Sequence, residues 1–170
     1  MLIPGEVQKE LKLISINGRM AMATTCFENI VNKLNLSSPN IEELVDIFWQ
    51  FVESNDLSEW EAEVMEKAGP LCDYVEGSTL LPSDSEFNRM PQFLRQMVSD
   101  IVDLGRGDLY GGTVGYSQET YDYTVKALNL ALEHGFSIPP IEPFLKSKFT
   151  EFHGWGNRVP RAFFRHSTTR

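Results

Sequence analysis

Apolar residues in this chain recur every three or four positions rather than every second one, a period that predicts helices. Val7, Leu11 and Ile14, then Ala23, Phe27, Ile30, Val31 and Leu34, form two such groups, with Asn17-Gly18 as the natural break between them. Ser37-Ser38-Pro39 opens the clearest amphipathic segment, Ser38 placed to cap it and Pro39 to take the first helical position. Ile41, Leu44, Val45, Phe48 and Val52 share its inner face, and Glu42, Glu43, Asp46, Gln50 and Glu53 its outer one. Ser58 is positioned to cap the next helix, which turns Trp60, Val64, Ala68, Leu71, Cys72 and Val75 inward and Glu59, Glu63, Glu66 and Asp73 outward. Gly69-Pro70 predicts a kink or a split there, because proline removes a donor and crowds the preceding turn.

Ser83 and Glu86 have capping-box spacing ahead of a strongly apolar helix that begins near Pro91 and carries Phe93, Leu94, Met97, Val98, Ile101, Val102 and Leu104. Gly105 to Gly115 holds five glycines in eleven residues and predicts an irregular loop. Ser117 then caps a helix with Tyr121, Val125, Leu128 and Leu132 on one face, closed by His134-Gly135. After Pro139-Pro140 and Pro143 the pattern allows one short helix, from Glu142 to Phe149. No run of strand period and no internal repeat is present. The expectation is an all-α single domain over residues 1–170, a bundle of five to seven helices with a glycine-rich inter-helix loop. Residues 1–143 form the helical core, and 144–170 an irregular aromatic and basic arm packed on it. The helices around Ile41 to Val52, Leu94 to Leu104 and Tyr121 to Leu132 supply the core, with Phe48 and Leu128 buried.

A length of 170 residues with 42% hydrophobic side chains suits one core rather than two. Apolar runs such as Ile47-Phe48-Trp49 fall far short of a membrane span, and Met1-Leu2-Ile3-Pro4-Gly5 lacks the pattern of a secretory leader, so cytoplasmic residence is expected. Cys26 and Cys72 lie in apolar helical patterns and read as reduced core thiols rather than a disulfide or metal site.

Charge changes the picture most. Between Asn40 and Asp103, 15 acids face only Lys67, Arg89 and Arg95, whereas from Phe144 onward Lys146, Lys148, Arg158, Arg161, Arg165 and Arg170 face only Glu151. An acidic field of this kind disfavours nucleic acid and anionic lipid and attracts basic proteins. A single glutamate is most simply a solvated surface residue; concentration in one stretch is what points to binding.

Catalytic signals are weak. The glycine loop matches neither phosphate-binding fingerprint and follows a helix, not a strand, and Arg106-Gly107-Asp108 is a coincidental tripeptide. His134, His153 and His166 have no suggestive neighbours, Glu63 and Glu66 lack the histidine that a di-iron bundle needs, and no cofactor or metal motif occurs. In the tail, Phe152-His153-Gly154-Trp155-Gly156-Asn157-Arg158-Val159-Pro160-Arg161 interleaves aromatics with arginines. That pattern suits nucleobase stacking, or an arm packed on acidic helices, which the acidity elsewhere favours.

In its general character, and in the stripes Glu42-Glu43-Asp46-Glu53 and Glu59-Glu63-Glu66-Asp73, the chain resembles the immunity proteins of bacterial toxin systems, including contact-dependent growth inhibition. The resemblance implies a protein that neutralises a basic toxin domain, often a nuclease, by covering its active site with acidic side chains, without a cofactor. The basic aromatic tail departs from it. Two other classes stand beside this one: a small enzyme assembled from His134, His153 and Glu151 near the glycine loop, and a helical adaptor whose stripes are solvated faces.

Overall fold

The computed structural model describes residues 2–72 and 86–165. Among them are six α-helices: α1 (Gly5–Leu11), α2 (Ile16–Lys33), α3 (Pro39–Glu53), α4 (Leu57–Cys72), α5 (Gln92–Arg106) and α6 (Gln118–Glu133). They form an all-α single domain of the expected kind, with α5 packed chiefly on α6 and α4, and α2 on α3, α6 and α5. None is long and apolar enough to cross a membrane.

Local signals place most boundaries. Ser38 accepts the Ile41 N–H on its hydroxyl at 3.4 Å, with Pro39 in the first turn of α3. At the end of α6, Gly135 takes φ +80°, and the Gly135 and Phe136 amides return to the carbonyls of Leu132 and Ala131, the paired bonds of a left-handed helix stop. Asn35 (φ 54°) ends α2 the same way, its amide and that of Leu36 returning to Asn32 and Val31.

Five expectations about boundaries are corrected. The break between the first two helices lies at Lys12 to Ser15, not at Asn17-Gly18. Ser15 caps α2 by accepting the Gly18 N–H at 3.0 Å, and Gly18 sits inside the first turn because the C-terminal arm crosses there: a Cβ would stand 3.2 Å from the Phe144 carbonyl oxygen and 2.4 Å from the Ile14 side chain. The cap of α4 is Asp56, whose Oδ1 accepts the Ser58 and Glu59 amides at 2.9 and 3.4 Å, so Ser58 is a first-turn residue. The helix is not split at Pro70, which lies inside it and forgoes one donor there. The loop begins after Arg106, for Gly105 is a buried residue of α5 against Trp60. Ser117 does precede α6, but in a left-handed conformation (φ 54°) and without a side-chain cap; its hydroxyl bonds Asp108 and Thr120. The capping-box serine Ser83 lies outside the described residues.

The core contains Phe48 and Leu128, as expected, both 0% exposed. Its most enclosed element is α2, whose buried set includes Asn17, Arg19 and Thr24. Arg19 reaches the Leu11 carbonyl at 3.0 Å, the Ser117 carbonyl at 3.1 Å and the Thr120 hydroxyl at 2.8 Å, and it lies over the rings of Phe149 and Tyr121. One guanidinium thereby ties α2 to the start of α6.

The segment after α6 is irregular. It has 3-10 turns at Phe144–Lys146, Phe152–Gly154 and Arg161–Phe164, where a longer helix from Glu142 to Phe149 was expected. It is nonetheless firmly attached. Ser15 and Phe149 donate their amides to Ser147 and Leu13 at 2.9 and 2.8 Å, and Asn17 and Val159 theirs to Trp155 and Val52 at 3.0 and 3.1 Å. Phe144 and Phe164 stack, Phe164 lies against Trp49, and Trp155 against Phe51. Cys26 is buried, its thiol pushed up to about 12 by burial; Cys72 lies in α4, and the two form no disulfide.

Candidate partner-binding groove

Helices α3 and α4 are joined by the short turn Ser54 to Asp56, so they run antiparallel and their outer faces adjoin. Each buries its apolar stripe, which leaves the carboxylates outside. Along the seam they meet. Glu43, Asp46, Ile47 and Gln50 from α3 and Glu63, Glu66 and Lys67 from α4 line one open groove of about 480 Å³.

The eight acidic residues singled out from the sequence divide into sets. Glu43, Asp46, Glu63 and Glu66 share the groove. Glu42 lies on the other flank of α3, beside Glu28 and Val31 of α2, and accepts the Ser37 hydroxyl at 2.8 Å. Glu53, at the end of α3, accepts the Arg161 amide at 3.0 Å. Glu59 is exposed in the first turn of α4. Asp73 lies outside the described residues.

Two cations enter the groove region that the stripe pattern did not anticipate. Lys67 donates to Glu43 at 2.5 Å and to Asn40 at 2.8 Å, and Arg161 from the arm donates to Asp46 at 2.9 Å. Both ion pairs are exposed on the carboxylate side, where such pairs contribute about 0–1 kcal/mol. Among the described residues, Glu59, Glu63 and Glu66 make no ion pair. The groove is therefore acidic, with Lys67 the one cation in its lining, Arg161 reaching Asp46 from the arm, and Glu63 and Glu66 without an ion pair among the described residues.

A second polar cluster lies on the opposite side of α4. Glu61 accepts the Tyr110 hydroxyl and, at 2.7 Å, Arg106 Nε, which together hold its carboxyl below the usual range. Asp103, Glu119 and Tyr123 complete its lining, with burial raising the Asp103 carboxyl. Sequence reading left Glu61 out of the outer stripe, and only the packing of α5 on α4 explains why it differs from Glu59 and Glu63.

The histidine set is not assembled. His134 stacks on Phe93 at 4.1 Å, its Nδ1 2.9 Å from the Leu130 carbonyl, at the C-terminal end of α6. His153 lies by the glycine loop, its carbonyl accepting the Thr113 hydroxyl before the start of α6. The 16 residues of α6 separate those two ends by about 24 Å. Glu151 is occupied locally, accepting the Lys148 amide at 2.6 Å and the Asn157 amide group at 2.5 Å. His166 lies outside the described residues. Among the described residues, no group of three or more His, Cys, Asp and Glu side chains is placed to hold a metal ion.

No protein-family model, curated protein or solved structure matches the chain.

Proposed function

We propose that this chain is a binding protein of the immunity type, whose α3–α4 surface engages a basic protein domain, a toxin nuclease being the partner class that fits best. The observation that supports this reading is the meeting of Glu43 and Asp46 with Glu63 and Glu66 in one groove, the last two making no ion pair among the described residues. Carboxylates at this density present a nuclease with the charge pattern of the phosphates it grips, and their field speeds the approach of a cationic surface. Lys67 and Arg161 can yield their carboxylates to a partner's lysines or arginines, since exposed pairs are weak.

The test compares the wild type with a variant carrying Glu43→Lys, Glu63→Lys and Glu66→Lys. A basic partner captured from the source cells should be lost by the variant and by the wild type at high salt. Co-expression of that partner should arrest growth unless the wild-type chain is present. A variant of unchanged fold that captures and neutralises the partner as well as the wild type would reduce the stripes to solvated surface.

A further inference from the structure

At the closed end of the α3–α4 hairpin the acidic seam gives way to a groove of different character. It has a volume of about 500 Å³ and is lined by Phe51, Leu57, Phe152 and Trp155, with Asn17 and Arg158. Phe51 and Trp155 form the inner wall, their rings 6.4 Å apart. Phe152 forms the outer wall and is 71% exposed, although the hydrophobic effect would draw such a ring inward.

Its backbone holds it there. Phe152 and His153 both take positive φ (46° and 54°), a conformation that costs a non-glycine residue about 1 kcal/mol or more. The loop is fixed in that shape: Glu151 staples Lys148 to Asn157 with its carboxylate, and its carbonyl accepts the Gly154 and Gly156 amides at 3.1 and 3.0 Å. An exposed aromatic on a strained, over-determined loop beside a concave aromatic wall has the anatomy of an interface anchor.

We infer that this groove is the anchor pocket of the partner interface, receiving one aromatic or long aliphatic side chain from a basic segment of the partner. The inference rests on the reading of the acidic groove given above. Chain position and charge select this occupant. Ser54, Asn55 and Leu57 of the pocket belong to the hairpin that joins α3 to α4, the two helices that carry the acidic seam. Exposed Glu53, Asp56 and Glu59 surround the hairpin end, so flanking cations are attracted, while Arg158 is the one cation in the lining. Charge brings the segment in; the aromatic walls hold it.

The experiment measures fluorescence anisotropy of two fluorescein-labelled peptides, Lys-Lys-Lys-Trp-Lys-Lys-Lys and the same sequence with Gly in place of Trp, against the full chain at low salt. The Trp peptide should bind about tenfold tighter or better. Phe152→Asn should erase that difference without weakening the Gly peptide, and should hold or raise the melting temperature, because asparagine tolerates positive φ. Val114→Asn, at an 83% exposed apolar position in the glycine loop, should change neither. Glu63→Lys with Glu66→Lys should weaken both peptides. Equal affinity of the two peptides, or a Trp advantage that survives Phe152→Asn or is lost equally in Val114→Asn, overturns the anchor pocket. If both peptides bind alike and the Glu63/Glu66 variant weakens both, the acidic groove stands alone; if neither binds, both readings fall. Self-association of the chain that Phe152→Asn abolishes would place a second copy in the groove and likewise overturn the proposal.

Discussion

Replacing Gly105 with alanine is expected to destabilise the protein by about 2 kcal/mol, although a glycine-to-alanine change inside a helix ordinarily stabilises by about 1 kcal/mol. The reversal follows from packing. A Cβ at position 105 would lie 2.2, 2.8 and 3.1 Å from Cη2, Cζ3 and Cζ2 of Trp60. Trp60 cannot step aside cheaply: it is 2% exposed, donates its indole N–H to the Ile47 carbonyl at 2.8 Å, and meets the Phe51 ring edge-on at 4.9 Å. Overpacking of this kind costs about 1–3 kcal/mol, and displacing the indole puts a buried hydrogen bond worth about 1 kcal/mol at risk. Set against the helix-propensity gain, these give the stated net loss. Urea unfolding followed by far-ultraviolet circular dichroism should show the midpoint falling by about 1 M at an unchanged slope of roughly 2 kcal/mol/M. Gly69→Ala is the internal control, since its nearest neighbour is the Met65 methyl at 3.9 Å, and it should be neutral or stabilising. Should Gly105→Ala unfold at the same or higher urea, the α4–α5 packing described above is wrong.

Three further outcomes are expected. Asp100 is 4% exposed and burial raises its carboxyl to about 6 from 3.8, so the stability it contributes is fully present below about pH 4 and is lost as pH rises through 6, a difference on the order of 2–3 kcal/mol. Asp100→Asn should therefore gain stability relative to the wild type at pH 7 and lose that advantage at pH 4; a constant difference across that range would refute it. Arg19→Ala should cost about 3 kcal/mol or more by orphaning the Leu11 and Ser117 carbonyls and the Thr120 hydroxyl, and Arg19→Lys should recover only part, since an ammonium cannot reproduce the guanidinium fork; full recovery by lysine in a thermal melt would contradict the network. Leu128→Ala and Phe48→Ala should each cost on the order of 3 kcal/mol in the same urea assay, and a loss under about 0.5 kcal/mol would place that residue outside the core.

Sequence by itself determined the helices, their inward faces and several of their ends. Those signals act over three or four residues: the period that puts Ile41, Leu44, Val45, Phe48 and Val52 on one side, the Ser38 hydroxyl within reach of the Ile41 amide, the left-handed Gly135. Acidity of the α3 and α4 surfaces was legible for the same reason, since whatever is not inward on an amphipathic helix is outward. Tertiary structure alone decided what distant segments do to one another. Asn17-Gly18 reads locally as a break, yet the arm crossing at Phe144 makes it the close-packed start of the most enclosed helix. Gly105 reads as the first residue of a loop, and Trp60, 45 positions earlier, makes it a packing contact in a helix. Arg19 can be buried only because three oxygens from two other parts of the chain surround it. Glu43, Asp46, Glu63 and Glu66 share a groove only because α3 and α4 lie side by side, and Asp46 is taken up by Arg161, 115 residues further on. Contacts of that separation depend on which surfaces the whole chain brings together, and no local pattern encodes them.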